Sequence, residues 1–217
     1  MTEQASPLRP HTGMLRPVLV SAIFVMLLTG LAYPMSTALV ARILFPFQSR
    51  GSLLERDGAV VGSAIVGQNF TRPEYFHPRP SLTMGPDPAD ASKTIAAPYN
   101  AGLSGASNQG PTNQKLLDDV KARVEAYRNE NGLAPDATVP VDAVTGSASG
   151  LDPHITIANA RIQAGRVARA RRVDEAEVLR LIDANTSGRW LGLFGEPRIN
   201  VLQLNLALDT LPASKAK

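Results

Sequence analysis

The residues best suited to chemistry in this sequence lie in a short polar segment at 146–154. Asp152 and His154 stand two positions apart, and a carboxylate with an imidazole is a pair that hydrolases use for proton transfer. The run from Gly146 to Gly150 looks like a nucleophile elbow, but its centre is Ala148 rather than serine. The segment therefore offers an acid–base pair without a nucleophile, and a membrane-anchored extracytoplasmic hydrolase is kept as an alternative.

Asp152 also has a purely local interpretation. With Pro153 after it, the aspartate could cap the start of a helix, because its carboxylate accepts free N–H groups and proline suits the first helical turn. A helix is predicted to follow from about Thr156 to Arg171. This capping role is sufficient to explain the aspartate.

Composition excludes several classes of site. The 217 residues contain no cysteine, which excludes disulfides, thiol nucleophiles, thiolate metal sites and iron–sulfur clusters. Three scattered histidines predict no metal cluster, and the sequence has neither a phosphate-binding glycine loop nor an H-E-x-x-H motif. We therefore predict no catalytic residue and no metal ligand.

The arginines between Arg161 and Arg172 point to a different class of protein, a membrane-tethered helix-turn-helix regulator. The helix expected next, however, begins with Asp174, Glu175 and Glu177, which would repel phosphates. The formal net charge of +3 is also too balanced for a general nucleic-acid surface. The regulator is kept as a second alternative, and no nucleic-acid partner is predicted.

The element that must position these residues is an N-terminal membrane helix. Residues 17–41 carry no charged side chain, and about 20 apolar residues cross a bilayer. The apolar run exceeds the ~7–15 residues of a signal-peptide core, so an uncleaved span over residues 17–42 is predicted. Its small residues Gly30, Ser36 and Ala38 would let partner helices approach closely. Arginines on both sides leave its orientation open.

Residues 43–217 are predicted to form a single mixed α+β domain. Asp57-Gly58 between two apolar runs predicts a β-hairpin, because both positions of such a turn need a positive φ. Many prolines and glycines predict a long irregular segment over 71–145. Leucines at every second position from 202 to 208 predict a C-terminal strand.

About three helices are expected in the same domain. In the first, Leu117, Val120, Val124 and Tyr127 share one face, and Asn131-Gly132 is a stop signal. The other two are predicted over 156–171 and 174–185. The polar stretch that precedes the first helix is longer than a connector requires, which favours a role in recognition.

A set of short strings follows one another along the chain at residues 15–17, 51–53, 62–70, 75–77, 79–81, 99–100, 107–108, 110–113, 144–145, 147–155, 163, 166–168 and 197–202. Taken together, these strings resemble the KdpC family, the C subunit of the bacterial Kdp high-affinity potassium-transporting ATPase. The resemblance runs in order from about residue 14 to residue 211. Departures are Ala106, where the family usually has a second glycine, Ile157, where it often has proline, and a longer segment over 83–97.

The resemblance implies an accessory, non-catalytic subunit of an ATP-driven potassium importer. Its partners would be a channel-like A subunit, a P-type ATPase B subunit, a small single-span F subunit and membrane lipid. It implies a single-pass protein of the cell inner membrane, with residues 1–16 in the cytoplasm and residues 43–217 outside it. ATP and K⁺ would belong to the complex, and no cofactor is expected on this chain.

The family is also proposed to act as a catalytic chaperone that raises the ATP affinity of the ATPase subunit. On that basis Ser147, Ser149, Gly150 and Gln163 are the residues that the resemblance offers as nucleotide contacts. ATP is cytoplasmic and few residues precede the span, so coupling through helix packing in the membrane is easier to defend than direct ligation. The partner contacts implied are Gly30, Ser36, Ala38, Tyr99, Asn100, Ser107, Asn108, Asp152 and His154.

Overall fold

The computed structural model describes residues 13–90 and 92–211, which divide into two units at Ser52. The first unit is a long helix, α1 (Leu15–Leu44), followed by the short α2 (Pro46–Ser49). The predicted span over 17–42 falls within α1, whereas residues 1–12 of the predicted tail lie outside the described residues. The most apolar window of α1 has a mean hydropathy of 2.1 and none of it is buried, so this surface requires lipid or partner helices.

The centre of α1 is a π-helical turn, Leu28–Ala32, just before Pro34. Proline lacks an N–H and its ring crowds the preceding turn, and the wider turn accommodates this, with the N–H of Tyr33 donating to the carbonyl of Leu28. The hydroxyl of Ser36 donates to the carbonyl of Ala32 at 2.7 Å. The helix therefore satisfies this hydroxyl internally, as a membrane segment must.

The second unit begins with a β-hairpin of β1 (Leu53–Arg56) and β2 (Ala59–Ser63). Asp57 and Gly58 both have positive φ values, of 52° and 76°, which confirms the predicted turn. A second hairpin, β3 (Met84–Pro86) with β4 (Thr94–Ala96), lies in the segment predicted to be irregular. Its short strands lack a periodic pattern, and the sequence did not reveal them.

The predicted helices are confirmed with small shifts. The helix α3 (Gln114–Asn131) is capped by Asn113 and ends at Gly132, whose φ of 66° suits glycine. Tyr127 is buried on its inner face, but Leu117 is exposed, so the predicted apolar face is only partly used. The short α4 (Val141–Val144) was not predicted.

Two further helices form the centre of the domain. They are α5 (Ile157–Arg171) and α6 (Glu175–Ala184), both close to their predicted bounds. The predicted cap of α5 was wrong, because the residue that caps it is Thr156, whose hydroxyl accepts from the N–H of Asn159 at 3.1 Å. Pro153 and Asp152 instead precede the strand β5 (His154–Ile155), which separates them from the helix.

The predicted C-terminal strand was also wrong. The strands β6 (Thr186–Ser187) and β7 (Arg198–Asn200) complete an antiparallel sheet of order β5-β7-β6, and the chain then forms α7 (Val201–Leu208). Asn200 caps this helix, and Val201, Leu204, Asn205 and Leu208 are buried at the i, i+3, i+4, i+7 spacing of one helix face. The polar Asn205 lies on that face and the apolar Leu202 and Leu206 lie beside it, so the apolar residues do not form a one-sided pattern and the alternating leucines imitated a strand.

The core of the domain is packed between α5, α6, α7 and β7. Its apolar residues share nearly complete burial and come from distant parts of the chain. They are Phe76, Ile155, Ala160, Ala164, Val167, Ala168, Val178, Ile182, Ile199, Val201, Leu204 and Leu208.

Candidate functional site

Several of the predicted site residues meet at one joint, which we call the Ser81 joint. The hydroxyl of Ser81 donates to the carbonyl of Gly150 at 2.7 Å and accepts from the N–H of Tyr99 at 2.9 Å. The neighbouring hydroxyl of Thr83 accepts from the N–H of Asn100 at 3.0 Å. Two hydroxyls thus connect three loop segments that are far apart in the sequence.

Tyr99 contributes both its backbone and its ring to this joint. It adopts a φ of 61°, and its hydroxyl donates to the carbonyl of Arg79 at 2.8 Å. Burial raises the pKa of the Tyr99 phenol, so it stays a protonated donor at physiological pH. The ring also covers Gly67, where a Cβ would meet the ring edge and would lie 2.9 Å from the carbonyl oxygen of Asp152. The joint therefore needs glycine at this position.

The other predicted partner contacts of the polar loop, by which we mean residues 99–113, differ in their hydrogen bonds. The amide of Asn100 donates to the carbonyl of Met84 at 2.8 Å, which ties the loop to β3. Ser107 and Asn108 are exposed, and the contact recorded for the Ser107 hydroxyl is a local one with Gln109 at 3.4 Å. Of the predicted partner contacts in this loop, these two are the ones whose side chains face solvent.

Asp152 and His154 belong to a charged cluster with Arg79. One carboxylate oxygen of Asp152 accepts from Arg79 at 3.0 Å, and the other accepts from the backbone N–H of His154 at 3.0 Å. Burial alone would raise the pKa of Asp152, but the His154 hydrogen bonds and the Arg79 charge outweigh it and lower that pKa. The carboxylate is therefore held ionised, and it orients its neighbours rather than accepting a proton near neutral pH.

The cleft beside this cluster offers no activated hydroxyl among the residues that line it. It is lined by Asp142, Thr156, Glu196 and Arg198 as well as the cluster. The hydroxyl of Thr156 donates to Asp142 at 3.0 Å, and the same hydroxyl caps α5. The hydroxyl of Thr156 thus uses its proton for Asp142 and a lone pair for the helix cap. The pair Asp152 and His154 therefore has no nucleophile beside it among these lining residues.

Ser147, Ser149 and Gly150 belong to the segment that supplies the Gly150 carbonyl to the Ser81 joint. The hydroxyls of the two serines are 3.3 Å apart, and that of Ser149 accepts from the N–H of Leu151 at 3.1 Å. Gly150 has a φ of 68°, and a Cβ there would lie 2.7 Å from the carbonyl oxygen of Gly105. These residues form a tight turn against the polar loop.

Gln163 is apart from these serines, on α5, and is 1% exposed. Its Oε1 accepts from the backbone N–H of His77 at 2.7 Å, and its Nε2 donates to the carbonyl of the same residue at 3.1 Å. The Nε2 also donates to Asn159 at 2.9 Å, and the Oε1 accepts from Arg166 at 2.8 Å. All four hydrogen-bonding positions of the amide are therefore occupied inside the domain.

A second amide repeats this arrangement on the preceding residue. The Oδ1 of Asn205 accepts from the N–H of Phe76 at 2.8 Å, and its Nδ2 donates to the carbonyl of Phe76 at 3.0 Å. We call Gln163 and Asn205 the amide clamps. They come from α5 and α7, and together they satisfy the backbone of a buried segment that has no strand partner.

The amide clamps continue into a buried polar network. Arg166 is 6% exposed and donates to Asn131 at 3.2 Å, besides Gln163. His77 forms an ion pair with Glu130 at 2.6 Å, and this hydrogen bond lowers the pKa of Glu130. Within the described part of the chain, every buried side-chain nitrogen and oxygen has a hydrogen-bond partner. The network is thus complete without a ligand.

Four residues central to this arrangement were not identified from the sequence: Arg79, Ser81, Asp142 and Asn205. For Asn205 a signal existed, since a single asparagine among leucines in 201–208 indicates a buried hydrogen-bonding role. For the other three the contacts are made across long sequence separations. A single sequence carries no local pattern for such contacts.

The arginines after residue 160 are largely used within the domain. Besides Arg166, Arg171 donates to Asp209 at 2.7 Å and to the carbonyl of Glu74 at 2.7 Å. Arg161 pairs with Asp183 at 2.8 Å. Most arginines of the cluster are therefore paired within the domain.

The described residues contain no group of His, Asp or Glu side chains that could hold a metal ion.

The predicted contacts in the first unit lie on α1. Ser36 and Ala38 line a shallow groove with Met35, Leu39 and Arg42. A Cβ at Gly30 would meet no atom within 4 Å, so the span itself does not require glycine there. A partner helix is one physical reason for a small residue at that position.

Comparison with known proteins gives one consistent result. The sequence model of the family described as "KdpC: K+-transporting ATPase, c chain" matches residues 15–210. A potassium-transporting ATPase KdpC subunit of Methylobacterium nodulans is 57% identical over 91% of this chain and 96% of its own length. A protein of the same name from Bradyrhizobium diazoefficiens is 52% identical over 92% of this chain and 98% of its own length.

Proposed function

Because the chain belongs to the KdpC family of potassium-transporting ATPase subunits, we propose that it assembles and stabilises an ATP-driven potassium import complex. It is an accessory subunit of the Kdp complex and not the catalytic one. The hydrolase and the DNA-binding regulator considered as alternatives are not supported by these findings.

The family match over residues 15–210 carries this proposal, and the occupied amide of Gln163 argues against direct nucleotide contact. A residue that contacts nucleotide must keep at least one donor or acceptor for the ligand, but here all four positions bond His77, Asn159 and Arg166. The hydroxyls of Ser147 and Ser149 bond each other and the N–H of Leu151 within their own turn, and the backbone carbonyl of Ser149 accepts from the hydroxyl of Ser104. Nucleotide contact by these residues stays a prediction, and we propose that their role is to make the domain rigid.

An effect on ATP affinity is still compatible with this role. A subunit that packs against the ATPase subunit in the membrane shifts its conformational equilibrium by the difference in packing energy between two states. We therefore propose that any effect on the ATP affinity of the ATPase subunit comes from the packing of α1 against that subunit, and not from residues of this chain that bind ATP directly. The partners proposed are the channel-like A subunit, the ATPase B subunit, the small F subunit and membrane lipid.

The proposed topology has residues 1–16 in the cytoplasm, residues 17–42 across the inner membrane and residues 43–217 outside the cytoplasm. The family and the apolar helix identify a membrane protein, and the sidedness is part of the proposal. A reporter fused after Lys217 tests it, because an enzyme that is active only outside the cytoplasm would be active in this fusion. A fusion active only in the cytoplasm would overturn the topology.

The assembly role is tested by copurification from detergent of the tagged chain with its companion subunits. Gly30→Leu should reduce the recovery of companions, because it fills the space that a neighbouring helix would use without any clash inside α1. Leu27→Ile, another exposed position of the same helix, is the matched control and should leave recovery unchanged. Deletion of the gene should abolish growth on scarce potassium, and unaffected uptake would refute the proposal.

A further inference from the structure

The largest run of exposed apolar side chains in the described part of the second unit is a loop between β6 and β7. We call residues 189–196 the apolar loop. Trp190, Leu191, Leu193 and Phe194 are 69%, 71%, 76% and 61% exposed. Single exposed apolar residues are ordinary on a soluble surface, but four within five positions mark an interaction site.

The apolar loop has a defined shape. Backbone hydrogen bonds of 2.9 and 3.0 Å join Trp190 and Phe194 in both directions, and the two rings lie 5.8 Å apart. Leu191 and Gly192 turn the chain with φ values of 53° and 73°. A leucine in the left-handed region is strained, so this backbone keeps an apolar side chain at the tip at an energetic cost.

The base of the apolar loop is charged. Arg189 donates to both carboxylate oxygens of Glu196, at 2.9 and 3.0 Å, and Arg198 is exposed directly beyond the pair. The loop is therefore a convex apolar tip above a charged collar. A bilayer interface accepts this arrangement, since apolar side chains enter the hydrocarbon while charges and the indole N–H stay among the headgroups.

A chain of contacts within the domain connects Leu53, its first residue, to β7, the strand that follows the apolar loop. Leu53 pairs with Ser63 in the first hairpin, and the carbonyl of Ala64 accepts from the Nδ2 of Asn200 at 2.8 Å. Asn200 is the last residue of β7, which begins at Arg198, two positions after the end of the apolar loop. Residues 45–52, which connect α1 to the domain, can extend about 30 Å at most. The connector therefore limits how far the start of the domain can lie from the end of α1.

We propose that Trp190 to Phe194 insert into the headgroup and outer hydrocarbon region of the bilayer and act as a second, interfacial anchor for the domain. The proposal rests on α1 crossing that bilayer and does not depend on which companion subunits are present. A bilayer is favoured over a protein pocket because the tip is convex, the charges form its collar, and the connector limits how far the start of the domain can lie from the end of α1. A protein pocket is the other outcome of the test.

Trp190 is the only tryptophan of the chain, so it reports on this loop alone. The full chain is reconstituted in phosphatidylcholine vesicles, with and without bromine on the lipid tails. We expect emission shifted to shorter wavelength, quenching by brominated lipid and protection from aqueous iodide. Leu193→Glu should reverse all three effects by placing a charge at the tip, whereas Val141→Glu, an equally exposed apolar position outside the loop, should change none of them.

The assembled complex provides an independent measurement in native membranes. A photoactivatable lipid is crosslinked, and adducts are mapped to the tryptic peptide 190–198, with the span peptide as internal positive control. Lipid adducts on 190–198 support the proposal. A peptide that crosslinks only to a companion subunit, or that stays free while the span is labelled, overturns it. Copurification of the subunits is scored separately, so failure of the anchor leaves the assembly role standing.

Discussion

Gln163 and His77 form a two-way pair in which one side-chain amide binds both the backbone N–H and the backbone carbonyl of the other residue, at 2.7 and 3.1 Å. This is the pairing that a neighbouring strand would supply, made here by a helix. The side-chain amide of Asn205, on α7, likewise bonds both the backbone N–H and the backbone carbonyl of Phe76. The buried segment 76–77 is thereby fixed between two helices.

Loss of the Gln163 amide should destabilise the domain. Gln163→Met preserves volume but leaves the backbone groups of His77 and the guanidinium of Arg166 without this partner, and we expect a loss of about 2–4 kcal/mol. Chemical denaturation of the full chain in detergent measures it. Gln203→Met, at an exposed position of α7, should change stability by less than about 0.5 kcal/mol. A stable Gln163→Met whose complex has lost ATP affinity would instead support nucleotide contact.

Gly67 and Tyr99 should show strong coupling. Gly67→Ala places a Cβ against the Tyr99 ring and should cost about 1–3 kcal/mol through overpacking. In the double variant with Tyr99→Leu the combined loss should be smaller than the sum of the single losses, because the ring is no longer there to clash. Gly188→Ala, where a Cβ meets no atom within 4 Å, is the control. Additive losses in thermal unfolding would contradict the packing argument.

Asp209 should make stability depend on pH at the acidic end. Burial alone raises its pKa, but hydrogen bonds from Arg171 and Arg56 outweigh burial and lower that pKa. A lowered folded-state pKa contributes stability above the unfolded value of about 3.9, and this contribution is lost as pH falls through the folded-state value. Asp209→Asn should therefore cost about 1–3 kcal/mol at pH 7 and progressively less below about pH 4.

The measurement for Asp209 is urea denaturation at a series of pH values. Asp183→Asn removes a more exposed ion pair, with Arg161, and should change stability by less than about 1 kcal/mol at any pH. An Asp209→Asn variant whose stability loss is the same at pH 7 and pH 3 would show that the charge of Asp209 is not what stabilises this corner.

Asn200 should matter more than an ordinary helix cap. Its Oδ1 accepts from the N–H of Gln203 at 3.1 Å, and its Nδ2 donates to the carbonyl of Ala64 at 2.8 Å. Asn200→Ala should cost about 2–3 kcal/mol, whereas Asn113→Ala, an exposed cap of α3, should cost about 1 kcal/mol. Asn200→Ser restores the cap alone and should lie between the two. Equal losses for both alanine variants would show that the bond to Ala64 contributes nothing.

The sequence predicted well those elements that local rules define. The span follows from an uncharged apolar run, the first hairpin from Asp57-Gly58, and the stop of α3 from Gly132. Each depends on the chemistry of adjacent residues, so no knowledge of the rest of the chain is needed. The family resemblance was likewise recognised from short sequence motifs and their order along the chain, without any knowledge of the fold.

The failures have a common physical cause. The leucines of 201–208 imitated a strand because apolar residues also lie outside the buried face of their helix and the polar Asn205 lies on it. Asp152 caps no helix because its carboxylate instead accepts from Arg79 and from the backbone N–H of His154. In both cases the tertiary structure, and not the local pattern, decided the outcome. Tyr99 and Asn100 are held by hydrogen bonds inside the domain, and their role as partner contacts stays a prediction.

The amino-acid sequence by itself determined that this is a membrane-anchored protein of the KdpC family with a mixed α+β domain, because apolar run length, turn residues and motif order are properties of the chain alone. Only the tertiary structure decided what the motifs do. Gln163, Gly150 and Asn205 act through hydrogen-bond partners that are 86, 69 and 129 positions away in the sequence. A hydrogen bond between distant residues joins a donor to an acceptor, and a single sequence does not record which two are joined.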